Sequence, residues 1–129
     1  MPRVLIVDDE ENQRRALAIG LKLEGFEVSV AGSSGEALRL LQGAAQPAEI
    51  ALVDLMMPGI NGLELARLIR CAHPQVRVVL ASAYHLSASQ VERADCGAIG
   101  FVPKPYRLAE LSAFLRSKTR GATPAAPTA

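Results

Sequence analysis

The chain has 129 residues, half of them hydrophobic, with a formal net charge of +1. That length fits one domain with a single core, and with aromatics at only 4% the core must be built from Leu, Val, Ile and Ala. The near-balanced charge excludes the basic excess of a protein that works on nucleic-acid backbones, and the apolar runs are too short to cross a bilayer.

Val4-Leu5-Ile6-Val7 is a continuous apolar run ending in acid, as a strand buried on both faces would be. Glu10 to Glu24 reads as a helix with Leu17 and Leu21 on one face, and Gly25 stands in place to end it. Phe26 to Ala31 is a second, weaker strand, with Glu27 and Ser29 alternating outward. Ser33-Ser34-Gly35-Glu36 resembles a capping box and opens a helix carrying Leu38 and Leu41. Ile50 to Val53 is the third strand, closed by Asp54, and Met57-Pro58-Gly59 stops it because Pro lacks the amide hydrogen a ladder needs.

Asn61, with Glu64 three residues on, caps a helix whose buried stripe is Leu65, Leu68 and Ile69. Val76 to Ala81 is a fourth strand, a helix over Ser87 to Asp95 follows, and Ile99 to Val102 is a short fifth strand. Arg107 to Ser117 is the last helix, with Leu108, Leu111 and Leu115 as its core stripe. Strands alternating with helices imply βαβ units, a parallel sheet and helices on both faces. The domain is expected over residues 1–119. The Ala/Pro/Thr-rich remainder, 120–129, reads as a disordered tail or the start of a linker.

Cys71 and Cys96 lack metal-ligand spacing and read as small apolar fillers in a reducing compartment. His73 and His85 have no second ligand at metal spacing and read as solvated. No charged-then-apolar stretch precedes Val4, so no signal peptide is expected and the default location is the cytoplasm.

In doubly wound sheets the working groups lie beyond the carboxyl ends of the strands. Asp8 and Asp9 end the first strand, Asp54 the third, Ser82 the fourth and Lys104 the fifth. Adjacent strands are about 5 Å apart, so these groups can converge on one pocket. Like charges roughly 4 Å apart at an effective dielectric of about 20 cost on the order of 4 kcal/mol per pair, so a proton or a cation must share the site. Mg²⁺ suits such a cluster of hard oxygens. Lys104 adds a compact positive charge and Ser82 a hydroxyl donor, which together with a carboxylate nucleophile are the parts of phosphoryl transfer.

The blocks Val-Asp8-Asp9-Glu10, Asp54-Leu-Met-Met57-Pro58-Gly59-Ile-Asn-Gly62-Leu-Glu64-Leu, Ser82-Ala83 and Lys104-Pro105 resemble the signature of response-regulator receiver domains. The resemblance runs from Arg3 to about Lys118 and keeps every block in order. It implies a flavodoxin-like doubly wound five-stranded parallel sheet, (βα)₅, with strand order 2-1-3-4-5. It implies Asp54 as the phosphoacceptor, and Asp8, Asp9, Asp54 and the backbone carbonyl of Met56 around Mg²⁺, with Asp9 the better direct ligand. By the same resemblance Lys104 holds the phosphoryl group, with a cis bond to Pro105, and Ser82 turns toward it. Phe101 matches the aromatic that swings inward with Ser82, altering the surface formed by the helix at 87–95, the fifth strand and the last helix. Met56 and Tyr84 replace groups that are often polar in similar domains, so a longer phosphoryl lifetime is expected.

The implied donor is a sensor histidine kinase or a phosphotransfer protein. An output domain or target protein, or a homodimer through the switching surface, stays open, as does a stand-alone regulator against a segment of a longer protein. No direct nucleic-acid or membrane partner is expected, nor turnover as an enzyme beyond the chain's own phosphorylation and dephosphorylation. An FMN carrier of the same fold would need a loop of backbone amides where the acidic Asp8-Asp9-Glu10 stands. A haloacid-dehalogenase-like phosphatase would need an Asp-x-Asp pattern there. The alternative is a phosphorylation-independent docking module, whose usual mark, loss of the acceptor or the lysine, is missing.

Overall fold

Val4, Leu5, Ile6 and Val7 are all 1% exposed, which is why this run forms the inner strand β1 (Arg3–Val7) with no polar alternation. The computed structural model describes residues 2–56, 61–83 and 97–119. After β1 come α1 (Glu11–Leu23), β2 (Glu27–Ala31), α2 (Ser34–Gly43), β3 (Ile50–Asp54) and α3 (Gly62–Ala72). Then follow β4 (Arg77–Ser82), β5 (Ala98–Pro103) and the C-terminal helix α4 (Leu108–Lys118). The expected helix at 87–95 and the tail at 120–129 fall outside the described residues.

The strands form one parallel sheet in the order β2-β1-β3-β4-β5, the flavodoxin-like arrangement. Alternation along each strand divides the core in two. Leu5, Val7, Val53 and Leu80 face Ala37 and Leu41 of α2 and Leu65, Ala66 and Ile69 of α3. Val4, Ile6, Leu52 and Val79 face Leu17 and Leu21 of α1 and Leu111 and Leu115 of α4. Each such buried side chain contributes about 1.5–3 kcal/mol of hydrophobic stabilisation before entropy is set against it. Gly20 lets α1 and α4 close up, since a Cβ there would meet the Leu108 side chain at 2.8 Å.

The caps follow the sequence with small shifts. Gly25 ends α1 with φ +97, Ser33 accepts from the Glu36 amide, and Asn61 accepts from the Glu64 amide at 3.0 Å. The Glu36 carboxylate reaches back to the Gly32 amide, one residue before the expected partner. Three expectations need correction. Leu68 is only half-buried, because the stripe of α3 runs through Leu65, Ala66 and Ile69. Leu108 is half-buried at the edge of its cluster. Cys71 is exposed rather than a core filler, since it lies on the outer face at the end of α3; Cys96 is outside the described residues.

Candidate functional site

The carboxyl ends of β1, β3, β4 and β5 bring the predicted residues together. Asp8 follows β1 and is 5% exposed; its amide donates to the Ala31 carbonyl, extending the pairing of β1 with β2 by one residue. Its Oδ1 accepts from the Glu10 amide at 2.9 Å, and this bond turns the chain into α1. Arg14 clamps the same loop by donating to the Asp8 carbonyl at 2.8 Å. Asp9 is exposed beside it.

Asp54 closes β3, and one of its oxygens, Oδ1, accepts from the Met56 amide at 3.3 Å. Leu55 still pairs with the Ala81 carbonyl at 2.8 Å, which holds the strand end flat against β4. Ser82 ends β4 opposite Pro103 and is 1% exposed. The Ser82 carbonyl accepts from the Lys104 amide at 2.8 Å, so the serine and the lysine share one backbone bond. The Lys104–Pro105 peptide is cis. Phe101 lies across from Leu80, half-buried, on the α3 side of the sheet, and Ser82 shares that side by alternation.

From this anchor Lys104 reaches back across the sheet. Its Nζ lies 3.4 Å from Asp8 Oδ2 and 3.7 Å from Asp54 Oδ1. Ligand oxygens of Asp8, Asp9 and Asp54 all lie within 4.8 Å of one another. Burial is the main force pushing the Asp54 carboxyl above its ordinary range. Asp8 and Asp9 push the same way, while Lys104 and the Met56 amide pull it down. Three acids against one lysine leave a surplus of negative charge on hard oxygens, which is the donor set Mg²⁺ takes. The residues present therefore fit that ion.

Two neighbours carried no sequence motif. Gln13, on the first turn of α1, accepts from Lys104 Nζ at 3.0 Å. Tyr106 walls a cavity of about 10 Å³ shared with Asp8, Asp54 and Lys104, room for about one water molecule. Burial, then Asp8 and Asp54, push its phenol up to about 12. The spacing of Gln13, one turn beyond Asp9, was the only available signal for it; Tyr106 follows Lys104-Pro105 directly. Met56 is 57% exposed. Tyr84, His85 and Met57-Pro58-Gly59 lie outside the described residues.

The family profile of the response regulator receiver domain matches residues 4–116. The chain belongs to that family. Receiver domains act in two-component signalling and are not turnover enzymes, and an acidic cluster that binds Mg²⁺ beside a phosphorylated aspartate is typical of them. The receiver is 34% identical over 122 residues to the response regulator MprA of Mycolicibacterium vanbaalenii, covering 95% of this chain and 52% of that one. It is 38% identical over 120 residues to the sensory transduction protein RegX3 of Mycolicibacterium smegmatis, covering 93% and 51%. The chain thus spans about half the length of these relatives.

Among solved structures, the response regulator TrrA of Thermotoga maritima, in complex with Mg(2+)-BeF, superposes with a TM-score of 0.79. It is 32% identical, and the match covers 92% of this chain and 99% of that one. A CheY-like receiver from Methanospirillum hungatei gives a TM-score of 0.82 at 26% identity, covering 92% and 93%. Among the described residues, no helix is long and apolar enough to cross a membrane.

Proposed function

We propose that this receiver accepts a phosphoryl group on Asp54 from a phosphohistidine donor, a sensor histidine kinase or a phosphotransfer protein. The observation that carries the reading is the convergence at Asp54: two further carboxylates within 4.8 Å and the Lys104 ammonium 3.7 Å away. An Asp54 oxygen forms the new bond to phosphorus as the bond from phosphorus to the donor's imidazole nitrogen breaks, and the electron pair leaves with the imidazole. Bound among Asp8, Asp9, Asp54 and the Met56 carbonyl, Mg²⁺ would supply positive charge against the phosphoryl oxygens. Asp9, exposed beside the engaged Asp8, is the better direct ligand.

Lys104 neutralises charge on the transferred group, and its short link to Ser82 keeps the two residues in step. Ser82 donates to the phosphoryl group after transfer, and Phe101, on the same side of the sheet, follows it inward. Phosphorylation adds about −1.5 to −2 charge units, and the fold answers by a shift between two populated states. The altered surface lies along β5, α4 and the segment at 87–95, where an output domain, a target protein or a second copy would engage. The working unit is residues 1–119, acting in the cytoplasm without direct contact to nucleic acid or membrane.

The test is incubation with acetyl phosphate, with and without Mg²⁺, followed by intact mass beside an Asp54→Asn control. A Mg²⁺-dependent gain of one phosphoryl group, absent in the control, is expected. No gain in a folded protein would leave a phosphorylation-independent docking module.

A further inference from the structure

Lys104 carries three N–H donors and no acceptor, and the partner nearest its ammonium is not an acid. Gln13 Oε1 stands at 3.0 Å, against 3.4 Å for Asp8 Oδ2 and 3.7 Å for Asp54 Oδ1. Because lysine only donates, the amide must present its oxygen. Arg14, the next residue in the chain, fixes the helical turn that carries Gln13. The Arg14 guanidinium beside it grips the Asp8 carbonyl at 2.8 Å, and the Arg14 amide bonds the Glu10 carbonyl at 3.0 Å. The first turn of α1 is thereby fastened to the acidic loop. Lys104 is fastened in turn to β4 through the Ser82 carbonyl.

We propose that Gln13 is a positioning residue for Lys104, anchoring its ammonium beside Asp8 and Asp54 where the phosphoryl group arrives. This rests on the phosphoacceptor reading given above. An ammonium left loose would meet the transferred group disordered, and one hydrogen bond from a fixed neighbour prevents that. A neutral amide suits the task, since it engages the ammonium without adding a fourth negative charge to Asp8, Asp9 and Asp54. A leucine there keeps the volume and removes the acceptor. Gln13 is exposed, so the exchange leaves the core untouched.

The experiment uses the full chain and two readouts. ¹⁵N relaxation of the Lys104 ammonium, resolved from Lys22 and Lys118, is compared between the parent and Gln13→Leu. The rate of phosphorylation by acetyl phosphate with Mg²⁺ is then measured for the parent, Gln13→Leu, Lys104→Ala and the double variant. The expected result is a more mobile ammonium and a rate lower by roughly fivefold in Gln13→Leu, the effect of one hydrogen bond to a charged group discounted for exposure. In the Lys104→Ala background the same exchange should change nothing. Unchanged ammonium dynamics, an unchanged rate, or a loss that persists without Lys104 overturns the proposal. A parent protein that takes up no phosphoryl group would overturn the phosphoacceptor reading instead, and the relaxation data would still decide whether Gln13 holds Lys104.

Discussion

Gly62, the first residue of α3, lies directly against the backbone of Asp54. A methyl group on its Cα would come within 2.7 Å of the Asp54 carbonyl oxygen and of the Leu55 Cα. The Gly62 amide also donates to the Leu55 carbonyl at 2.9 Å, so the start of α3 is riveted to the end of β3. Both obstacles are backbone, and neither can rotate aside. Gly62→Ala must therefore displace the strand end that carries Asp54. The expected cost is about 1–3 kcal/mol, the range for forced overpacking, read by chemical denaturation, with slower phosphorylation by acetyl phosphate. Full parental stability would mean that the strand end yields freely.

Asp54→Asn should raise the melting temperature of the metal-free protein at neutral pH. Burial and the neighbouring acids raise the Asp54 carboxyl above its ordinary range, so the folded chain holds this proton more tightly than the unfolded chain. Stability is then lost as pH rises through the carboxylate range, and Asn escapes that loss. Melting curves across pH should show the gap between parent and variant closing toward acid, where Asp54 is protonated. The same curves should show Mg²⁺ stabilising the parent far more than the variant, because the ion loses a carboxylate.

Lys104→Met should act in the opposite direction. Its side chain is 17% exposed and its ammonium faces Asp8 and Asp54, whose side chains are 7% and 12% exposed. Removing the cation leaves mostly buried carboxylates without their counter-charge, a change costing about 1–3 kcal/mol for a hydrogen-bonded charged group. Lys104 is the largest influence holding the Asp54 carboxyl down, so its loss should push that carboxyl further up. Calorimetry should find a lower melting temperature that added Mg²⁺ partly restores. An unchanged melting temperature without metal would show that water already compensates the acids.

The acid and lysine positions were legible because each ends an apolar run, and in a parallel sheet run ends gather on one edge. What escaped was set by packing at distances the local pattern does not encode. Leu68 has the right period for the stripe of α3, but Ala66 presents closer to the sheet and takes the buried place. Cys71 follows the statistics of its residue type only until the helix face is known. Gln13 looks like any polar residue in a first helical turn until Lys104 arrives from 91 residues away.

Tyr106 offers a titration far from the carboxylate range. Its side chain packs beside Leu108 and Phe114 against the α1–α4 core, and its cavity faces Asp8 and Asp54. Burial first, then those two carboxylates, push the phenol up from 10.0 to about 12. The folded chain therefore keeps the phenolic proton over a window in which the unfolded chain loses it. Stability should fall as pH climbs past about 10 and stop falling on this account near 12. Tyr106→Phe, which has no proton to lose, should resist unfolding better than the parent at alkaline pH. Spectrophotometric titration of the phenolate should show the high phenol disappear in that variant, and shift toward its ordinary value in Asp54→Asn as one of the two opposing charges is removed. A phenol titrating normally in the folded parent would mean that water reaches the ring and screens both acids.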